Sequence, residues 1–355
     1  MNSEQDKVRI GITIGDPAGI GIETIIKVLT DPRMLEMCCP IIYGNAELIK
    51  QHRRTNDLPE FKYQTIKSAE EAGMKTVNVL NVWESKGEVE LGVANKENGK
   101  LAFESLKAAV TDLASNKIDA LVTAPINKDV IQSEDFDFPG HTEYLASMSN
   151  VEDCLMFLVS ERMRIGVATG HVPIKDVAGQ LSTEGILKKL DLMHESLSKD
   201  FGVPSPRIAV LGLNPHAGDN GLLGDEEKTI IQPAIKIAQE AGKLVFGPYG
   251  ADGFFGTNQY KNFDATLAMY HDQGLAPFKA LAFEDGVNFT AGLPIVRTSP
   301  DHGTAYDLAG KGNADPSSMR HAIYMACDIY KNRKEYRELA ANPLQKQQRE
   351  RKKDY

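Results

Sequence analysis

Residues 8–29 read VRIGITIGDPAGIGIETIIKVL, and this stretch decides the fold class. The run at 8–14 is short and rich in β-branched residues, which is the pattern of a buried strand. The glycines of GDPAGIG at 15–21 break it, and residues 22–29 continue at helical spacing. A strand, a glycine turn and a helix in that order open a βα unit. The alternation recurs along the chain. Strands are expected at 41–43, 76–82, 118–123, 155–159, 164–168, 207–213 and 265–270. Helices are expected at 46–52, 96–115, 183–197 with Ser182 as N-cap, 226–241 ending at Gly242, and 317–333. Strands and helices in alternation imply an α/β protein with largely parallel sheets. The polar segment 55–73 shows no readable period. No internal repeat and no linker stands out. The chain is therefore expected to form two lobes that share it discontinuously around a cleft.

Length and composition set the outer limits. At 355 residues the chain is long enough for about two domains. A hydrophobic fraction of 42% and a charged fraction of 25% are those of a globular chain and exclude a disordered or collagen-like one. The net charge is −9, so no general positive field exists to attract nucleic acid or an anionic membrane. Any phosphate must be held by a few local cations. Cys38, Cys39, Cys154 and Cys327 lack CxxC spacing and read as free thiols. The first nine residues lack the basic-then-apolar pattern of a signal peptide, and no run approaches a membrane span. A cytoplasmic location is the expectation. The basic residues Lys346, Arg349, Arg351, Lys352 and Lys353 read as a solvated terminus rather than a nucleic-acid arm.

Two glycine-rich segments bear on cofactors. The GxxxGxG at 15–21 is neither a GxGxxG fingerprint nor a P-loop. It permits close backbone approach, and the helix N-terminus after it favours an anion. The segment 301–312, DHGTAYDLAGKG, resembles the HGSAPDIAGKG loop of isopropylmalate and isocitrate dehydrogenases, which cradles the adenosine part of NAD. That resemblance points to Gly303, Thr304 and Asp307 as cofactor-binding residues. A carboxylate at Asp307 accepts hydrogen bonds from ribose hydroxyls and repels a 2′-phosphate, which favours NAD over NADP. Asp315 departs from the Asn usual in those enzymes near the adenine.

Six of the eight histidines lie in or beside Gly-, Pro- or Asp-rich segments. His171, His216 and His271 each follow an expected strand. Carboxyl ends of parallel strands line the ligand crevice of an α/β sheet, so three imidazoles can converge there. Three neutral imidazoles with open positions make a catalytic metal site. Their long spacing matches no local metal motif. His52 and His194 read as surface residues and His321 as structural.

The segments ITIGDPAGIGIE (12–23), TAPINK (123–128), PGHTEYLA (139–146), TGHVPIKDV (169–177), LNPHAGDNGLLGDEE (213–227), YHDQGLAPFKAL (270–281) and GVNFTAGLPIVRTSPDHGTAYDLAGKG (286–312) together closely resemble the 4-hydroxythreonine-4-phosphate dehydrogenase family of pyridoxal phosphate biosynthesis. They run in order over nearly the whole chain to about residue 330.

The resemblance implies two α/β/α domains with a central cleft, isopropylmalate dehydrogenase-like. One would comprise residues 1–135 with 298–355 and the cofactor loop. The other, 136–297, would carry the metal and substrate motifs and the dimer interface. It implies a homodimer with a shared active site and metal ligands from both subunits, His171, His216 and His271, with His271 the one supplied by the other subunit. His141, Thr142, Lys279, Asn288 and Arg297 match the substrate-binding residues. The implied reaction is NAD-dependent oxidation of 4-phosphooxy-L-threonine followed by decarboxylation. Lys279 and Arg297 are the local cations that an acidic protein needs for a phosphorylated acid. A divalent metal would lower the pKa of the substrate hydroxyl; Zn²⁺ and Co²⁺ suit imidazoles, and the family also admits Mg²⁺. No general base is evident, and Asp252 and Asp272 are the candidates. Relatives that oxidise D-threonate or D-erythronate 4-phosphate, or a dihydrodiol, would keep the same histidines. A metal-dependent binding protein without redox chemistry is the alternative of another class, and the Asp307 loop speaks against it.

Overall fold

The computed structural model describes residues 7–84 and 87–341. Twelve strands among them are β1 (Val8–Thr13), β2 (Cys38–Gly44), β3 (Tyr63–Ile66), β4 (Val77–Asn81), β5 (Ala120–Thr123), β6 (Leu155–Val159), β7 (Arg164–Val167), β8 (Arg207–Leu211), β9 (Leu244–Tyr249), β10 (Ala265–Ala268), β11 (Val287–Ala291) and β12 (Arg297–Pro300). They form one sheet in the order β3-β4-β2-β1-β5-β12-β11-β6-β7-β10-β8-β9. Pairing is parallel except at β12–β11, β11–β6 and β6–β7. The first five strands and β12 make one half of the sheet, and β6 to β11 make the other.

The β1 strand is buried on both faces because helices cover both, which is why it reads as a continuous apolar run. On one side Ile10 and Ile12 pack with Ile22, Ile25 and Ile26 of helix Gly21–Leu29 and with Met319, Ile323 and Cys327 of helix Ser317–Ala341. On the other side Ile41, Tyr43 and Leu121 meet Leu106, Ala109, Val110 and Leu113 of helix Lys96–Ala114. Truncating one such buried isoleucine to alanine costs about 2–5 kcal/mol. Ser105 adds a polar tie, donating to the Tyr43 carbonyl at 2.6 Å and accepting from the Ile14 amide at 3.2 Å.

Several elements depart from expectation, each for a local reason. Segment 55–73 contains β3, a four-residue edge strand that is mostly solvated, so its period is weak. Three further strands, β9, β11 and β12, are not apparent in the sequence. Gly247 and Pro248 break the pattern of β9. The Arg-Thr-Ser-Pro of β12 is polar yet fully buried at the centre of the sheet. The helix expected at 226–241 starts with a π turn, Glu227–Ile231, before the α-helix Gln232–Glu240. There the Glu227 carboxylate accepts from the Asn214 amide at 2.7 Å. Ser182 caps its helix by accepting from the Gly185 amide, and Gly242 ends the next at φ +83°. The last helix continues to Ala341, so the part of the expected solvated tail up to that residue is helical. Its basic residues from Lys346 onward lie outside the described residues.

All four cysteines are free, with Cys38, Cys39 and Cys327 buried and Cys154 half-buried. Among the described residues no helix is long and apolar enough to cross a membrane.

Candidate active site

Strands β7, β10 and β8 are adjacent and parallel, so the residues following them emerge at one edge of the sheet. His171 follows β7, and His271 opens helix His271–Ala282 just after β10. Their ring centroids lie 5.7 Å apart. They border a cavity of about 670 Å³ whose walls also include His141, Thr142, Lys279, Asn288, Arg297 and Gly303. The structure thus brings together all five expected substrate residues, two of the three expected imidazoles and one of the three expected cofactor residues, Gly303.

His216 does not line this cavity. It follows β8 in the turn Pro215–Gly221, where His216, Ala217, Asp219 and Asn220 adopt left-handed φ values of 53°, 51°, 41° and 56°. Such angles are unfavourable for residues with a Cβ, and His216 is exposed on this turn. Within one chain, then, His271, expected from the other subunit, stands beside His171, and His216 does not. Among the described residues no three metal-ligating side chains converge.

Arg297 is the deepest cation in the cavity, only 3% exposed. Its Nε and Nη2 donate to Thr123 Oγ1 at 3.0 and 2.7 Å, and Nη1 reaches Thr290 Oγ1 at 3.5 Å. Burial pushes its pKa down to about 10, which leaves it charged at neutral pH. No carboxylate lies within 4 Å of it among the described residues. His141 sits at the start of helix His141–Met148, and its Nε2 is buried without a partner. Burial, then the positive charges of Arg297 and Lys128, hold its pKa well below the usual histidine value. On β11 the Asn288 Oδ1 is likewise buried and unpartnered. A cleft that holds a buried cation and open hydrogen-bonding atoms is built for a polar anion.

Lys279 Nζ stands 3.5 Å from Asp301 Oδ2. Burial raises the Asp301 pKa, and Lys279 partly counters this. Thr142 Oγ1 lies 3.5 Å from Thr290 Oγ1.

The two aspartates expected as bases lie outside this cavity. Asp272 is exposed, and its Oδ1 is 2.7 Å from His271 Nδ1. A carboxylate at Nδ1 fixes the tautomer that leaves Nε2 with its lone pair. Asp252, on helix Ala251–Gly256, is exposed too. Its carboxylate and the His216 backbone both border Gly250, so Asp252 belongs with His216.

The loop 301–312 packs onto the turn after β1. Ile20 N donates to the Thr304 carbonyl at 3.0 Å, and Tyr306 donates its hydroxyl to Asp16 Oδ2 at 2.6 Å. A Cβ at Gly19 would lie 2.7 Å from the Thr304 oxygen, so this contact requires glycine. The amides of Asp16, Ala18, Gly19 and Ile20 all bond within the protein. These four amides are therefore not open to an anion. Asp307 is exposed.

His52, expected at the surface, is fully buried. Its Nε2 is 2.8 Å from the Pro17 carbonyl, and burial pushes its pKa down to about 4. The inner face of helix Ala46–Thr55 turns toward the 15–21 turn, which a polar composition concealed. His194 is half-buried, and His321 Nδ1 lies 2.9 Å from the Ser317 carbonyl in its own helix. Further wall residues went unselected in the sequence: Lys128 and Glu143, inside quoted motifs, Asp301 and His302 at the cofactor loop, and Lys189. Lys189 sits on an amphipathic helix and carries no motif signal.

Comparison with known proteins adds to this geometry. The family described as "Pyridoxal phosphate biosynthetic protein PdxA" matches residues 36–326. The chain belongs to the PdxA family. A curated relative from Bacteroides thetaiotaomicron, named 4-hydroxythreonine-4-phosphate dehydrogenase, is 50% identical over 352 residues, covering 99% of this chain and 96% of that protein. Another from Oceanobacillus iheyensis, 40% identical over 90% of this chain and 97% of its own length, carries the provisional name D-threonate 4-phosphate dehydrogenase. The crystal structure of 4-hydroxythreonine-4-phosphate dehydrogenase from Klebsiella pneumoniae superposes with a TM-score of 0.80 at 36% identity, covering 93% of this chain and 99% of that one. The α/β architecture above is thus the PdxA fold.

Proposed function

We propose that the chain oxidises 4-phosphooxy-L-threonine with NAD to 2-amino-3-oxo-4-phosphooxybutanoate, which loses CO₂ to give 3-amino-2-oxopropyl phosphate for pyridoxal 5′-phosphate synthesis. The observation that carries this reading is Arg297, a buried guanidinium lining the cavity with no carboxylate in ion-pair range among the described residues. Lys279, Lys128 and Lys189 line the same cavity. On a chain of net charge −9, this concentration of cations selects a small, multiply anionic substrate.

His141 and Asn288 present a neutral ring nitrogen and an amide oxygen to the same space, and Thr142 a hydroxyl. With Arg297 and Lys279 they would hold and orient the phosphate and carboxylate ends. Gly303, Thr304 and Asp307 would hold NAD, with the exposed Asp307 carboxylate accepting from ribose hydroxyls. Bound NAD supplies the hydride acceptor. The donor set also fits a divalent cation: burial and Lys128 lower the His171 pKa, and Asp272 leaves His271 Nε2 free to donate its lone pair. Zn²⁺, Co²⁺ or Mg²⁺ at these imidazoles would supply Lewis acidity toward the substrate hydroxyl.

The reading includes a homodimer. His216 and Asp252 lie away from their own chain's cavity, and Ile174 and Leu222, near His171 and His216 in sequence, are 77% and 78% exposed. A second copy that covered these side chains would bring its own His216, and with it Asp252 as a proton acceptor, toward the pair His171 and His271. We further propose that residues 1–135 with 298–355 form one lobe and 136–297 the other, and that the enzyme works in the cytoplasm. A second substrate reading, D-threonate 4-phosphate, is favoured by the name of the Oceanobacillus iheyensis relative; D-erythronate 4-phosphate, its epimer at C2, carries the same groups.

The test is NADH production from each phosphate in the presence of Zn²⁺, Co²⁺ or Mg²⁺. Turnover of 4-phosphooxy-L-threonine is expected. Turnover of D-threonate 4-phosphate alone would select the second reading, and turnover of neither would overturn both.

A further inference from the structure

We propose that Glu143 is the subsite for a positively charged amino group on the substrate, so that the cavity takes a phosphorylated 2-amino-3-hydroxy acid in preference to its 2,3-dihydroxy counterpart. This rests on the dehydrogenase reading above and deepens it.

The charges that line the cavity do not balance. Four cations, Lys128, Lys189, Lys279 and Arg297, and two carboxylates, Glu143 and Asp301, line the cavity. Asp301 has its counter-charge in Lys279 at 3.5 Å. Glu143 has no hydrogen bond and no ion pair among the described residues. It is half-buried in the first turn of helix His141–Met148, directly after His141 and Thr142. Its negative charge acts on both Arg297 and His171, which line the same cavity. The carboxylate therefore faces the space where substrate must sit.

In a cleft that binds phosphate and carboxylate, an unmatched carboxylate repels the ligand unless the ligand carries a cation at that point. An ammonium meets this requirement with a charge-assisted hydrogen bond. A hydroxyl at the same carbon offers a hydrogen bond without a full charge, roughly half as strong. Cationic and anionic ends on one small molecule then match the walls: phosphate and carboxylate toward Arg297 and the lysines, ammonium toward Glu143. A Glu in a helix's first turn also favours the helix dipole. That role predicts a change in stability without any change in substrate preference.

The experiment uses the full chain with metal and NAD, and compares wild type with Glu143→Gln and Glu143→Asp. kcat/KM is measured for 4-phosphooxy-L-threonine and for D-threonate 4-phosphate, together with calorimetric binding of each. The ratio of amino to hydroxy substrate is expected to fall roughly tenfold or more in Glu143→Gln, chiefly through KM, because removing one charged contact changes affinity by about that factor. Glu143→Asp, which keeps the charge, is expected to fall between. An unchanged ratio in both variants, with only the melting temperature moved, would overturn the proposal. So would a wild type that prefers D-threonate 4-phosphate. Should wild type oxidise neither substrate, the dehydrogenase reading falls. The subsite is then judged by binding alone, where an unchanged affinity ratio in Glu143→Gln overturns it and a lowered one upholds it.

Discussion

Tyr306 donates its hydroxyl to Asp16 Oδ2 across 2.6 Å, joining a loop near residue 300 to the first βα turn of the chain. Neighbouring bonds run parallel to it: Ile20 N to the Thr304 carbonyl, and Gly312 N to Asn56 Oδ1, both at 3.0 Å. Lys27 also donates to the carbonyls of Gly312 and Ala314. The loop proposed to receive NAD is thus held in place before any cofactor arrives, which lowers the ordering cost of binding.

Tyr306→Phe removes that one hydroxyl and keeps the ring. The KM for NAD is expected to rise about three- to tenfold, with kcat within about twofold of wild type and stability lower by about 1 kcal/mol. Initial rates at varied NAD and a thermal melt check this. A kcat loss with unchanged KM would show that Tyr306 does not act through the cofactor loop.

Arg297→Lys keeps a positive charge but loses the planar fork that bonds Thr123 twice and reaches Thr290. kcat/KM for the phosphorylated substrate is expected to fall by about 100-fold or more, while the affinity for NAD measured by calorimetry changes little. Normal kcat/KM in a folded variant would mean that the anion binds elsewhere.

His216→Ala is expected to abolish turnover while leaving the sheet intact, since the side chain lies on an exposed turn outside the core clusters. Circular dichroism and metal content, measured with activity, separate the two effects. Turnover near that of wild type would remove His216 from the proposed metal set.

His52 predicts a pH dependence of stability. Burial places its folded pKa near 4, below the usual 6.5. The unfolded chain therefore binds the proton more tightly, and stability falls as pH drops from about 6.5 toward 4, by about 3 kcal/mol in all. Urea melts across that range are expected to show a shallower slope for His52→Asn than for wild type. Equal slopes would mean that His52 titrates normally.

How far the sequence could be read depended on whether a signal was local. The first βα unit was legible because its strand is apolar on both faces and its turn is glycine-rich. The five residues expected to bind substrate were legible through motifs, and all five line one cavity. The β12 strand was not, because Arg297 and its polar neighbours are buried by position in the sheet rather than by their own hydrophobicity. His52 was misread for the same reason: its burial depends on Pro17, 35 residues away. Lys189 joins the cavity by tertiary packing alone. That His216 falls outside the cavity lined by His171 and His271 is a matter of tertiary placement that its own segment does not announce.

The place of β12 bears on how the molecule is made. It lies between β5 and β11 and is the last of the described strands to be synthesised. Until residues 297–300 leave the ribosome, β5 and β11 each present an open edge, and the two half-sheets have no strand to join them. Exposed edges of that kind invite pairing with other chains. A nascent chain arrested before residue 297 would hold most of its apolar strands without the four residues that seal them, and Arg297, the buried cation of the cavity, arrives with the seal.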